Sequence, residues 1–319
     1  MTIRVLALCG GIGGAKLALG LSHILPPDDL AILVNTGDDF EHLGLTISPD
    51  VDTVTYTLAG LNNTELGWGL AGESWAFMDQ LRKLGGEGWF NLGDRDLALH
   101  IERTQRLHAG ESLSAITADV AARLGVAPRL LPMSDDPVRT VLDTDEGTLE
   151  FQHYFVGRQA QPAVSAIAYR GADTARPNPA ALAALADPAL EAVIICPSNP
   201  WLSIAPLLAM PALRHALEQT AAPVIAISPI VGGKAIKGPT AKLMGELGLP
   251  VTAHTVARFY AGLASAYVLD EADSDLADDI KALGLAVDVQ PTVMTDLASK
   301  TALAGQVLDF AERLRHTRA

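Results

Sequence analysis

The sequence predicts an α/β fold, with a Rossmann-like core, a mainly parallel sheet and a helical insert, on three observations. Ile3 to Leu8 is a nearly continuous apolar run of strand length. It ends in Cys9-Gly10-Gly11-Ile12-Gly13-Gly14-Ala15-Lys16 and gives way to helical spacing through Leu17, Leu21 and Leu25. A second apolar run, Leu30 to Val34, follows a short turn and ends in Asn35-Thr36-Gly37-Asp38-Asp39. After a helix-rich stretch, strand-length runs and helical runs alternate again from about residue 170.

The first strand reads as buried on both faces. Its glycine turn leads into a helix whose N-terminus offers N–H groups and a positive end, so an anion, most simply a phosphate, is expected there. The residues expected to cradle it are Gly10, Gly11, Gly13, Gly14 and Lys16. The turn is not a Walker A loop, because Leu17 stands where a magnesium-binding hydroxyl belongs. Nor is it a dinucleotide fingerprint, since the third glycine position after Gly11 and Gly13 falls on Lys16. The other reading is a tight turn that needs small residues for packing. Two strands joined through a helix make a parallel βαβ unit. Their carboxyl ends then lie side by side, bringing Asp38 and Asp39 to the edge where open α/β sheets bind ligands.

Residues 48–128 read as a mostly helical insert. Ser48-Pro49-Asp50-Val51-Asp52 has the proline and early acidic residues of a helix start, and further helices are expected near 73–84, 94–109 and 112–124. The core is thus expected over 1–47 and 129–319, with a β-rich extension carrying the runs Leu149 to Val156 and Val164 to Tyr169. Beyond it come a helix at 178–186, a strand Ala192 to Cys196, the loop Pro197-Ser198-Asn199-Pro200, a helix at 211–219 and a strand Pro223 to Ile227. A helix near 239–247, a strand Pro250 to His254, a helix from Val256, a strand Ala266 to Leu269 and a helix at 301–316 complete the prediction.

With 319 residues the chain can bury a sizeable core. Its 23 basic against 37 acidic side chains, a net charge of −14, argue against nucleic-acid or membrane-surface binding, which want a basic face. Cys9 and Cys196 each end a buried strand and read as small core residues. No signal segment or run of membrane-spanning length stands out, so a cytoplasmic location is expected.

The chemistry should gather at the strand ends. Asp38, Asp39, Asp50 and Asp52 crowd one connection, and carboxylates beside a phosphate loop call for a cation, with magnesium the natural choice. Asp38, Asp50 and Asp52 are the candidate ligands; a solvated turn and helix-start residues are the plainer reading. In Gly93-Asp94-Arg95-Asp96, followed by His100 and Arg103, spacings of four and three place Asp96, His100 and Arg103 on one helix face. Arg95 and Arg103 could hold a substrate anion and His100 could carry a proton, or Asp96 and His100 could be a surface pair. Ser198 and Asn199 form a rigid polar turn at a strand end, and Gly232-Gly233-Lys234 repeats the pairing of glycines and a cation. Trp68, Trp75, Trp89 and Phe90 supply flat apolar surface in the insert, for a heteroaromatic ring or for a core.

Together these residues resemble the 2-phospho-L-lactate transferase family of coenzyme F420 biosynthesis. The resemblance runs through GGIGGAK at 10–16, NTGDD at 35–39, SPDVDTVTYTLAG at 48–60, LGDRDLALHI at 92–101, LLPMSDDPVRT at 130–140, EFQHYFV at 150–156, PSNPWLSIAPLL at 197–208 and SPIVGGKAIKGPTAKLM at 228–244. It implies a usually dimeric enzyme that takes a three-carbon phospho-acid (phospholactate, phosphoenolpyruvate or phosphoglycerate) activated as a guanosine diphosphate derivative. The phospho-acid moves to the ribityl hydroxyl of the deazaflavin Fo, releasing GMP, with a divalent metal. A guanylyltransferase would make the donor and could hand it over. Under this resemblance the glycine loop and PSNP turn hold the guanosine nucleotide, and Asp38 with Asp50 or Asp52 holds magnesium. Trp68 and the segment with Asp94, Arg95, Asp96, His100 and Arg103 form the acceptor side, and Asp38 or Asp94 takes the hydroxyl proton. The competing expectations are a non-catalytic nucleotide or nucleotide-sugar sensor on the same sheet edge, and an oxidoreductase that uses finished F420.

Overall fold

A computed structural model describes residues 2–236 and 238–318. Seven strands, numbered here in chain order, form its central sheet: β1 (Val5–Cys9), β2 (Leu30–Val34), β3 (Arg129–Pro132), β4 (Ala192–Ile195), β5 (Val224–Ile227), β6 (Ala266–Asp270) and β7 (Ala286–Gln290). All neighbouring pairs are parallel. Across the sheet they run β7-β6-β5-β4-β1-β2-β3, so the order reverses between β1 and β4. That is the doubly wound arrangement, and its switch point is where such sheets bind ligands.

Every residue of β1 is buried, and its period of two feeds two helical layers. Val5, Ala7 and Cys9 pack in a core with Leu17 and Leu21 of α1 (Gly11–Ile24) and with Leu303, Val307 and Phe310 of the C-terminal helix Leu297–Arg318. Leu6 and Leu8 face the opposite core, with Leu213, Leu217 and Tyr260.

The helix-rich stretch contains α2 (Pro49–Leu58), α3 (Ala76–Lys83), α4 (Asp96–His108) and α5 (Leu113–Arg123). Its outer helices belong to the core layer, since Val51 and Val54 of α2 and Ala121 of α5 pack with β1 and α1. Between them, α3 and α4 bury Met78 and Leu97 in a small separate core with Leu92. That core also takes Phe40 and Ile47 from the hairpin Phe40–His42/Leu45–Ile47, which precedes residue 48.

Two expected strands differ. The run 149–156 is extended only over Gly147–Glu150, in an antiparallel sheet with Arg139–Thr144 and Val164–Arg170. It then closes into a π-helical turn, His153–Gly157, which brings Phe151 and Phe155 face to face with ring centroids 5.4 Å apart. Pro250 to His254 forms no strand, because Thr252 accepts the Thr255 N–H and starts the helix Ala253–Tyr260. Strands β3 and β7 had no distinct signal: both lie at sheet edges, and every residue of β7 is half-buried. No helix among the described residues is long and apolar enough to cross a membrane.

Candidate active site

A cavity of about 640 Å³ opens at the carboxyl ends of the strands, over the switch point. Its floor is the expected glycine loop. Gly11 opens α1 with φ +62°, a conformation that suits glycine. Gly10, Gly11 and Gly13 line the cavity, but Gly10 and Gly13 are also tight contacts. A Cβ on Gly13 would lie 2.3 Å from the Pro197 carbonyl oxygen, and one on Gly10 would lie 2.4 Å from Asp50 Oδ2. Gly14 is excluded from the cavity lining and serves packing alone, with Cys9 and Ser198 each 2.6 Å from the position of a Cβ. Lys16 lines the cavity and donates to the Met294 carbonyl at 2.8 Å.

The β4 loop braces this floor. Ser198 Oγ donates to the Gly10 carbonyl at 2.8 Å and accepts the Gly10 N–H at 3.3 Å. Asn199 caps the π-helical turn Pro200–Ile204 by accepting the Trp201 and Leu202 N–H groups, and its amide donates to Thr240 Oγ1 at 3.0 Å. Both line the cavity, so the expected polar turn is present, with much of its hydrogen bonding spent on the protein itself.

Two carboxylates, Asp38 and Asp50, reach the lining. Asn35 links them: its Nδ2 donates to Asp50 Oδ2 at 3.0 Å and to Asp38 Oδ1 at 3.4 Å, while its Oδ1 accepts the Gly37 N–H. Gln152 Nε2 donates to Asp38 Oδ2 at 3.1 Å. The first N–H groups of a helix lack partners within it, and that of Gly11 donates to Asp50. Burial, then the charges of Asp50 and Asp39, hold the Asp38 carboxyl well above its usual range. Burial pushes Asp50 up to about 6. Asp39 lies behind them, outside the lining, hydrogen-bonded to Ser48 and pushed up to about 7 by burial.

A dication would offset this like-charge crowding. Among the described residues no group of three or more His, Cys, Asp or Glu side chains could hold a metal. Magnesium does not need one, since it commonly takes one or two carboxylates and completes its shell with water and substrate phosphate oxygens. Asp38 and Asp50, which share the lining with the start of α1, fit that mode.

The rest of the lining is largely aromatic. Trp68, Trp89 and Phe90 from the insert meet Phe151 and Phe155 from the π-helical turn. Trp75 stands behind Trp68, 5.8 Å between ring centroids, and is not part of the lining.

The Asp94–Arg103 segment is placed otherwise than expected. Asp94 is half-buried and accepts from Ser74 Oγ and from the N–H groups of Ala76 and Phe77, capping α3. Those donors lower its pKa, which makes it a poor base. Arg95 donates to the Ala71 carbonyl at 2.7 Å. Asp52, the third expected metal ligand, points into the protein and forms a two-pronged ion pair with Arg103. Asp52 is 6 % exposed and Arg103 3 %, so neither is available to a ligand. His100 lies between Asp52 and Asp96, at 3.8 and 3.3 Å, and Tyr56 donates to Asp96. This buried network fastens α4 of the insert to α2, the helix that carries Asp50. Gly232 and Gly233 make the turn of the small hairpin Ile230–Val231/Lys234–Ala235, with φ of 56° and 72°, and the Gly232 N–H goes to Asp273. Neither these glycines nor the exposed Lys234 is in the lining, which this hairpin enters through Val231 and Ile236.

Asn35, Gln152, Phe151 and Phe155 were not expected at the site. Asn35 was visible as the polar residue ending β2, but the strand assignment of 149–156 hid the other three.

The family model for the 2-phospho-L-lactate transferase CofD matches residues 5–301. The chain is 42% identical to a phosphoenolpyruvate transferase of Kitasatospora aureofaciens, over 98% of this chain and 99% of that one. It is 40% identical to a phosphoenolpyruvate transferase of Streptomyces griseus, over 98% and 100%. With a 2-phospho-L-lactate transferase of Methanosarcina mazei it shares 36% identity, over 92% and 96%. A solved structure of a UPF0052-family protein from Bacillus halodurans has the same fold, with a TM-score of 0.60 over 97% of this chain and 99% of that one, at 14% identity. The match across nearly the whole sequence, on a doubly wound sheet with its cavity at the switch point, identifies the chain as a member of the 2-phospho-L-lactate transferase family, an enzyme that transfers a phospho-acid.

Proposed function

We propose that the enzyme transfers phosphoenolpyruvate, activated as its guanosine diphosphate derivative, to the ribityl hydroxyl of the deazaflavin Fo, with release of GMP. The observation that carries this reading is one cavity lined by a helix N-terminus, two linked carboxylates and five aromatic rings. The names of the relatives at 40% and 42% identity favour phosphoenolpyruvate over phospholactate as the acid.

In this reading the guanosine nucleotide lies over the glycine loop and the 197–199 turn, with Ile12 and Gly13 of the first turn of α1 directed to the diphosphate. Asp38 and Asp50 would hold magnesium, which supplies charge neutralisation at the diphosphate. The deazaflavin lies against Trp68, Trp89 and the Phe151–Phe155 pair. Its hydroxyl oxygen bonds to the phosphorus that bears the phospho-acid, and the bond from that phosphorus to the oxygen of GMP breaks. Positioning by the floor and the aromatic wall supplies much of the rate, since phosphoryl transfer asks little covalent chemistry of a protein. Asp38, joined to the aromatic wall through Gln152, is the carboxylate we assign to accept the hydroxyl proton. The enzyme would work as a cytoplasmic homodimer, with the donor coming from a guanylyltransferase.

The test is a coupled assay with purified protein, Fo, magnesium, GTP, a guanylyltransferase and each three-carbon phospho-acid in turn, read by mass spectrometry. A magnesium-dependent Fo adduct carrying phosphoenolpyruvate supports the proposal. An adduct with phospholactate or phosphoglycerate alone would overturn the choice of acid, and no adduct with any of them would overturn the acceptor.

A further inference from the structure

The segment 151–156 places aromatic rings and a carboxylate partner side by side in the cavity lining. Phe151 and Phe155 stack and face the cavity, and His153 stacks on Trp89 with ring centroids 4.2 Å apart. Gln152, between them and 5 % exposed, also reaches the lining and donates to Asp38 Oδ2. The turn is also stiffly built. It ends in Gln159 and Ala160, both with φ of 52°, a left-handed conformation that side chains with a Cβ adopt only when the surrounding structure enforces it. Tyr154, fully buried, anchors its middle. A rigid turn that holds rings with some side chains and a carboxylate with another transmits a shift at one to the other.

Building on the proposed reading of the cavity, we infer that Gln152 is a positioning residue that couples occupation of the aromatic wall to the carboxylate pair, so that acceptor and metal bind with positive cooperativity. Asp38 Oδ1 is shared with Asn35 on the nucleotide side, and Oδ2 is held from the acceptor side by Gln152. A cation drawn to Asp38 settles that carboxylate, and through the Gln152 amide it settles the turn that carries Phe151 and Phe155. By linkage, a flat ligand against those rings must tighten the metal by the same factor.

The test measures binding without donor, so that no turnover intervenes. Fo fluorescence is titrated with and without magnesium, and manganese binding is followed by electron paramagnetic resonance with and without Fo. The proteins are wild type, Q152M, which keeps the volume but removes the donor, and Q152N, which keeps an amide too short to reach. In the wild type each ligand should tighten the other by about fivefold or more. In both variants Fo and manganese should still bind, with the mutual effect reduced to less than about twofold. Equal cooperativity in all three proteins, or none in a wild type that binds both ligands, overturns the inference and leaves the proposed function standing. A wild type that does not bind Fo overturns both. A purely structural role would lower both affinities while leaving their ratio unchanged.

Discussion

Replacing Arg103 by methionine separates a structural role for this residue from the substrate-binding role that its neighbourhood in the sequence suggests. The guanidinium is buried and meets both oxygens of Asp52, which is also within 3.8 Å of His100. Removing it strands a buried carboxylate, a change that costs about 3–5 kcal/mol. For a chain of this length the entropy of unfolding is about 0.7 kcal/mol/K, so the midpoint should fall by about 4–7 °C. Differential scanning calorimetry measures the midpoint and urea denaturation the free energy. The paired change D52L/R103M removes the charge along with its partner and should recover most of the loss, because a buried ion pair is often no better than apolar groups of similar size. A stability loss in R103M below about 1 kcal/mol together with a large rise in the KM for Fo would refute this account and return Arg103 to the acceptor site.

Four further outcomes follow from the same geometry. G13A should lower both stability, by about 1–3 kcal/mol, and nucleotide affinity, since its methyl would press on the Pro197 carbonyl; calorimetry and GDP titration check this. D38N should abolish magnesium-dependent turnover, and excess chelator should do the same to the wild type; unchanged, magnesium-dependent turnover in D38N would end the metal assignment. W68A should raise the KM for Fo by about tenfold, the loss of one stacking face, with an unchanged melting temperature, because Trp68 is 42 % exposed. Cys196 is pushed up to about 12 by burial, and Cys9 is raised too, so both remain thiols near neutral pH; iodoacetamide at about pH 8 should label neither cysteine in the native protein and both in denaturant.

The core was legible because its signals are local. A buried strand, a glycine turn and a helix in sequence define β1 and α1, and the ends of β2 and β4 then had to meet them at the sheet edge. Thus Asp38, Asp50, Ser198 and Asn199 were found at the cavity from neighbours within a few residues of a strand end or helix start. The partner of a charge was not legible in the same way. Asp50 and Asp52 lie in one helical turn, yet one faces the cavity and the other faces Arg103, which comes 51 residues later. The Gly232-Gly233-Lys234 run carries the same residue types as the first loop, but its glycines serve a two-residue hairpin turn and not a helix start. Gln152 was lost in an apolar run whose alternation suits a strand as well as a π-turn. The stacking of His153 on Trp89, 64 residues away in the chain, is a tertiary contact that leaves no mark in the local pattern.

The floor of the cavity has almost no side chains to vary. Gly10 and Gly13 sit within van der Waals reach of Asp50 and Pro197, so even a methyl group at either would displace the loop. Any attempt to re-target this enzyme to another activated acid or another nucleotide must therefore work through the walls: the 197–203 turn, the 231–240 segment and the aromatic rings. A library that randomises the glycine loop would consist mostly of unfolded proteins, whereas one confined to the walls would explore substrate preference on an intact scaffold.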